Sequence, residues 1–292
     1  MDAAHPLMPP LYTLLGALAL IAYAVAALLY TAAVFLDRRS LGPFATAGAA
    51  MGAIFNLVAL WLRGHTLHTV PYADILGSLS LFGFFLAALH VVLEIRHGDR
   101  ALGPFLMPAS FLFLLLALVL PPRAASPGPE MRGSFFALHV TLNMLAYSAF
   151  TLAAALSGLY LLASRSLRNL ASGGATASRL PSLSFLVGAT RTSLSVGVAT
   201  QLLGLGFGVA WAVQVWNPGS RWLLDPKVLL AFATFGFYAV VAFRAHRGAA
   251  PVTTARLALA GLVLLALSLS SNALSRVHGF DRFPPVARAQ RS

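Results

Sequence analysis

Long apolar runs broken by short polar connections dominate the chain. Leu11 to Phe35 carries no charged residue, and Ile75 to Leu93 carries no polar titratable group besides His90. Runs of about 20 apolar residues are long enough to cross a bilayer as a helix. The pattern predicts eight of them, at 11–35, 43–62, 75–93, 102–120, 135–163, 194–215, 228–243 and 257–275. Barrel strands would show apolar and polar residues alternating over about ten positions, and that alternation is absent. The first run is longer than the apolar core of a signal peptide, and no small-residue cleavage site follows it, so it reads as a retained helix. The expected fold is an all-α integral membrane protein, a bundle of about eight transmembrane helices.

Composition agrees. Of 292 residues, 59% are hydrophobic and 10% charged, against about 25% charged in a soluble domain. The absence of cysteine removes disulfides, thiol redox chemistry and thiolate metal sites. The formal charge of +12 comes almost wholly from arginine. With no nucleic-acid motif in the chain, that charge is assigned to loops and lipid headgroups, so membrane lipids are the expected partner and no nucleic acid is. There is no P-loop, no HExxH and no Ser-His-Asp signature, so no self-contained catalytic motif. Gly204, Gly206 and Gly208 resemble a nucleotide loop, but they sit inside an apolar span and read as close helix packing.

With eight spans both termini share one side. The predicted connections on the other side carry eleven basic residues, against five in the internal connections on the side of the termini. The positive-inside rule then places the termini and the connections 63–74, 121–134 and 216–227 outside. The expected location is a bacterial inner (cytoplasmic) membrane, crossed many times. The stretch 164–182 reads as a mobile inner loop rich in Gly and Ser, and 281–292 as a basic tail.

Candidate chemistry gathers at the outer end. His139 opens the fifth span, and Asn143 and Tyr147 follow at i+4 and i+8, on one helix face. Polar groups in lipid face the bundle interior or a cavity. For His139 alone, hydrogen bonding between helices is an equal reading. His278, just beyond the last span, is by itself an ordinary interfacial residue, and Arg276 beside it fits a headgroup snorkeller. The segment WAVQVWNPGSRWLLDPK holds Trp211, Trp216 and Trp222, followed by Asp225 and Lys227. One such tryptophan is explained by the aromatic belt of a membrane interface; three in one connection are not. Two imidazoles at one end can ligate a haem iron from both sides. Tryptophans can cover the porphyrin, and Arg221 and Arg276 can meet its carboxylates. His65 and His68 fall at the same end and are candidates for the same cavity. His90, deep in the third span, reads as bonding another helix, with ligation of a haem inside the membrane as the alternative. His97 and His246 read as solvated in basic inner loops.

These residues resemble, in order and spacing, the cytochrome c assembly family of haem-handling membrane proteins, the CcsA, CcmC and HemX group, over roughly residues 60 to 280. WAVQVW, then Trp222 and Asp225-Pro226-Lys227, resemble its tryptophan-rich WWD segment, with two extra residues in NPGSR. His139-Val140 with Tyr147, Tyr238, and His278 after the last helix fit its flanking pattern. GHTLHTVPYADILGSLSLFGF is similar to the CcsA and HemX branch. The resemblance divides the chain into N-terminal transmembrane helices (1–59), a haem-handling domain (60–280) and the tail. It implies that haem (haem b) is bound at the outer face, with His139 and His278 as axial ligands and Trp211, Trp216, Trp222, Asp225, Arg221 and Arg276 around it. It implies delivery to the CxxCH thiols of an apocytochrome c, as a CcsA-like subunit of a haem ligase (lyase/synthase) complex with a CcsB-like membrane subunit. Phe243 stands where the branch carries an inner histidine, so only the outer site is implied. Two other functions remain open: a HemX-like membrane regulator of the level of a haem-synthesis enzyme, and a secondary transporter, which would show inverted repeats and mid-membrane polar residues.

Overall fold

The computed structural model describes residues 10–120, 131, 133–169, 181–216 and 222–271. Eight α-helices account for nearly all of them, and no strand occurs among the described residues. They are α1 (Leu11–Phe35), α2 (Gly42–Leu67), α3 (Ile75–His97), α4 (Gly103–Val119), α5 (Ser134–Asn169), α6 (Leu183–Val215), α7 (Pro226–His246) and α8 (Pro251–Ser270). Seven of these are long and apolar enough to cross a membrane. The eighth, α4, has 17 residues, about 26 Å at 1.5 Å per residue. It nonetheless runs the depth of the bundle: Gly103 lies against Tyr30 near the end of α1, and Leu118 against Gly16 near its start. The parity of the spans is therefore that of an eight-helix protein, a multi-pass membrane bundle.

Local sequence sets the helix ends. Asp74 caps α3 by accepting the Gly77 N–H at 2.8 Å, and Ser182 caps α6 by accepting that of Phe185 at 3.3 Å. Pro226 and Pro251 open α7 and α8, where the missing N–H costs nothing. Gly98 closes α3 at φ 71°, the left-handed cap that glycine adopts without strain.

α1 packs against α2 and α4, and α3 against α2 and α4. α5 packs against α6 and α8, and α7 against α6 and α8. The contact of α3 with α5 joins the two halves. At the end opposite the tryptophans, the first half is tied by a buried carboxylate. Glu94 on α3 accepts hydrogen bonds from Tyr30 on α1 and Thr46 on α2, and pairs with Arg100 at 3.0 Å. Nearer the tryptophan end, Asn56 and Ser80 exchange two hydrogen bonds between α2 and α3.

Several boundaries differ from the apolar pattern. α5 continues to Asn169 and α6 begins at Leu183 rather than 194, so the inner connection is shorter than 164–193. Residues 170–180 of that loop lie outside the described residues. Polar side chains on the extended turn bond back to their own helix: Thr192 to the Gly188 carbonyl and Ser195 to that of Arg191. His97 and His246 are exposed, as expected, but they end helices rather than lie in loops; His97 packs on Phe185 with ring centroids 5.0 Å apart, and His246 meets the Ser195 hydroxyl at 2.8 Å. His90 is fully buried, yet neither ring nitrogen makes the expected hydrogen bond to another helix. It sits edge-on to Tyr30, with Nε2 3.4 Å from Glu94 one turn on.

The chain has no cysteine, which allows a clean test of sidedness. Thr66 ends α2 and Ala250 precedes α8, both exposed. In intact cells a membrane-impermeant maleimide is expected to label Thr66→Cys, and Ala250→Cys only after permeabilisation. The opposite pattern would invert the bundle, and labelling of both from one side would break the parity.

Candidate functional site

At the end where α5 begins and α6 ends, the helices leave a partly open cavity of about 190 Å³. His139, Asn143 and Tyr147 all line it, as their helical spacing predicts. Two features of α6 make room for them. A Cβ on Gly208 would collide with the His139 imidazole, and one on Gly204 would lie 2.6 Å from Asn143 Nδ2. Gly206, between them, has no neighbour within 4 Å. Glycine at 204 and 208 thus lets two polar side chains of α5 lie flat on the α6 backbone.

The contact fixes the chemistry of His139. Its Nδ1 is 2.8 Å from the Gly204 carbonyl. A carbonyl only accepts, so Nδ1 carries the proton and the lone pair is on Nε2. Asn143 Nδ2 donates to the His139 carbonyl at 2.7 Å. Asn143 Oδ1 is left buried without a hydrogen-bond partner.

The tryptophans form a connected wall. Trp211 is buried and stacks beside His139, with ring centroids 6.3 Å apart and planes 20° apart. Trp216 meets Trp211 edge-on at 5.0 Å, and Trp222 follows Trp216 at 6.2 Å. Trp211, Trp216 and Trp222 all border the cavity, so the two extra residues of NPGSR do not remove Trp222 from it. Asp225 has a different place. It is the N-cap of α7, accepting the Lys227 N–H at 2.9 Å, and it is not among the cavity-lining residues. Lys227 is, and its ammonium donates to the Ser268 carbonyl of α8 at 2.9 Å. The first half of the chain supplies the remaining wall through Tyr72, Ile75 and Phe82, with Phe113 from α4. Tyr72 accepts a hydrogen bond from Thr141 of α5 at 2.6 Å.

Beneath the cavity the bundle is closed. Phe150 of α5 and Tyr238 of α7 stack face to face, 3.7 Å apart and within 2° of parallel. Both are fully buried, and Phe150 lies against Gly197 of α6. Phe243, further in, is 65% exposed and turns away from the interior.

Arg221, Arg276 and His278 lie outside the described residues. His65 and His68 are corrected. They share the end of the bundle with the cavity but do not line it, and flank a separate open surface depression with Trp61. The sequence places Lys227 in the tryptophan segment without giving it a separate role, and points to neither Tyr72 nor Phe136 for the site. Tyr72 and Phe136 carry no local signal, because only the packing of α3 and α5 brings them in.

The cavity holds an imidazole with a fixed tautomer, an unpartnered amide oxygen, one cation and indole walls. That donor set fits a flat, largely apolar molecule carrying a metal and an acidic group, and a porphyrin is such a molecule. Fold and site together define a multi-pass helical membrane protein with an aromatic-walled histidine site at one membrane face. The family model described as cytochrome c assembly protein matches residues 72–278, and the chain belongs to that family. It is 27% identical to a cytochrome c biogenesis protein CcsA of Porphyra purpurea, over 58% of this chain and 64% of that protein. It is 32% identical to the protein HemX of Brevibacillus brevis, over 70% of this chain and 69% of the relative. A CcsA of Gloeobacter violaceus is 26% identical over 86% and 89% of the two chains.

The glycine contacts give a stability prediction. Gly206→Ala is expected to be neutral or stabilising by up to about 1 kcal/mol, the helix propensity gain. Gly208→Ala forces the imidazole aside and is expected to cost about 1–3 kcal/mol, as overpacking does. Thermal unfolding of both variants in detergent checks this; equal melting temperatures would contradict the packing described.

Proposed function

We propose that this chain binds haem (haem b) at the outer face of a bacterial inner membrane and delivers it for attachment to apocytochrome c. The observation that supports this most is the His139–Gly204 hydrogen bond. A metal-ligating histidine commonly donates its other ring N–H to a carbonyl or carboxylate, which fixes the ring and raises its basicity. Here that bond is in place, in a cavity walled by indoles. In the proposal His139, through Nε2, and His278 would hold the iron. Trp211, Trp216 and Trp222 cover the ring and exclude water. Asp225 holds the turn that presents Lys227, and Arg221 and Arg276 act as further carboxylate partners. The cavity is small and partly open, so a ligand of macrocycle size keeps an edge outside the walls. Bound haem supplies the vinyl groups to which the thiols of a CxxCH segment add. The thiols come from the apocytochrome, so a chain without cysteine is compatible with the role. The CcsA relatives support a CcsA-like subunit working with a CcsB-like membrane partner.

A second reading rests on the HemX relative, to which identity reaches 32%. A HemX-like regulator of the level of a haem-synthesis enzyme would use the same haem site with a different partner. Deleting the gene separates the two. Loss of covalently bound haem in c-type cytochromes supports delivery; unchanged cytochromes with an altered level of a tetrapyrrole enzyme support regulation.

The site itself is tested by absorption spectroscopy of the purified protein. A six-coordinate low-spin haem spectrum is expected. His139→Gly or His278→Gly should leave a five-coordinate or empty site, partly restored by added imidazole. His246→Gly, at the opposite end of α7, should change little. An unaltered spectrum in the double variant His139→Gly/His278→Gly would refute the ligand assignment.

A further inference from the structure

The end of α2 reads WLRGHTLH and gathers three rings outside the cavity. His65 lies in the last turn of the helix. His68 closes it in the left-handed conformation, at φ 49°, which few residues with a side chain adopt. The two imidazoles stand with ring centroids 6.4 Å apart and planes 43° apart, and Trp61 packs beside His65 at 5.8 Å. Both histidines are exposed and border an open depression of about 450 Å³. Two imidazoles bound to one metal at about 2.0–2.1 Å have ring centres roughly 4.5–6.5 Å apart, from a right-angled to a linear arrangement. The observed separation lies within that span, and exposed rings are free to rotate toward the narrower end. No basic side chain lines the depression. Arg63, the nearest in sequence, is turned to Asp74 and to the Pro71 carbonyl. In the same wall, Thr69 Oγ1 is buried without a hydrogen-bond partner.

We infer that His65 and His68 form a two-imidazole site for a divalent transition-metal ion, copper(II) or zinc(II), separate from the tryptophan-walled cavity. Imidazole suits these ions, whereas a pair without carboxylates offers little to magnesium or calcium. No group of three or more ligating side chains occurs among the described residues, so water fills the ion's other positions. One such water is the partner that Thr69 Oγ1 lacks. The ion ties the last turn of α2 to the residue that starts the connection to α3, and Tyr72 of that connection stands in the cavity wall. The site is independent of the haem reading.

The test titrates copper(II) into the full chain in nanodiscs, purified through a tag without histidine, with calorimetry and electron paramagnetic resonance as readouts. One equivalent is expected to bind wild type, with hyperfine structure from two imidazole nitrogens. Zinc(II) should displace it, and calcium should not. Loss of an indirect partner of a metal ligand costs about 10–100-fold in affinity, so His65→Ala and His68→Ala should each weaken this equivalent by at least about tenfold. Each should also lower the nitrogen count to one. Both side chains are exposed, so the melting temperature in excess chelator should match wild type. His5→Ala and the double variant His97→Ala/His246→Ala should keep the equivalent intact. Unaltered copper binding in His65→Ala/His68→Ala would overturn the inference. So would a wild-type chain that binds no copper, or one whose spectrum shows no imidazole nitrogen. A signal lost in His139→Gly but kept in His65→Ala/His68→Ala would place the ion in the cavity and overturn it as well.

Discussion

A polar atom inside a bilayer has no water to bond, so its partner must come from the protein itself or from a ligand. That constraint places nearly every polar side chain in this bundle. Glu94 is buried, and it collects a tyrosine, a threonine and an arginine from around it. Asn56 and Ser80 satisfy each other between α2 and α3. Serines and threonines along α5 and α6 bond back to carbonyls of their own helices. His139 takes the remaining route. It reaches a carbonyl of a neighbouring helix, and it does so because Gly208 leaves room for the ring and Gly204 presents the oxygen. The rule is left open at Asn143 Oδ1 and at both ring nitrogens of His90, and of these two residues Asn143 borders the cavity.

The two halves of the chain divide the work. α5 to α8 carry the imidazole, the indoles and the ammonium. α1 to α4 share one continuous buried core with them and contribute a largely apolar wall through Ile75 and Phe82 of α3 and Phe113 of α4. The halves meet mainly where α3 lies on α5, with Tyr72 bonded to Thr141 at the rim. A site built in this way gets its chemistry from one body and its shape from both. The match of the family model to residues 72–278 spans that seam, taking in α3 and α4 but not α1 and α2.

Much of this was legible in the sequence, and the reasons for the rest are physical. Apolar length alone gave eight helices, because a membrane span has few alternatives. The i, i+4, i+8 spacing of His139, Asn143 and Tyr147 put them on one wall, because a helix leaves no freedom in that respect. Where polar residues satisfied themselves locally, hydropathy failed. The first turns of α6 contain Thr190, Arg191, Thr192 and Ser195 and look like a loop, yet the hydroxyls of Thr192 and Ser195 are satisfied by carbonyls of their own helix and so can sit within it. Sharing an end was mistaken for sharing a face at His65 and His68: parity fixes depth, and only packing fixes the direction around the bundle. Lys227 was visible as a residue but not as a wall, since its position follows from how α7 meets α8.

The face-to-face pair of Phe150 and Tyr238 has a meaning for the cell's energy supply. It lies in the buried core, outside the residues that line the cavity, and closes the path between α5 and α7 there. Protons cross membranes along chains of water and hydroxyls, and two aromatic faces pressed together leave no space for such a chain. A pocket at one end of the bundle can therefore stay partly open without short-circuiting the proton-motive force.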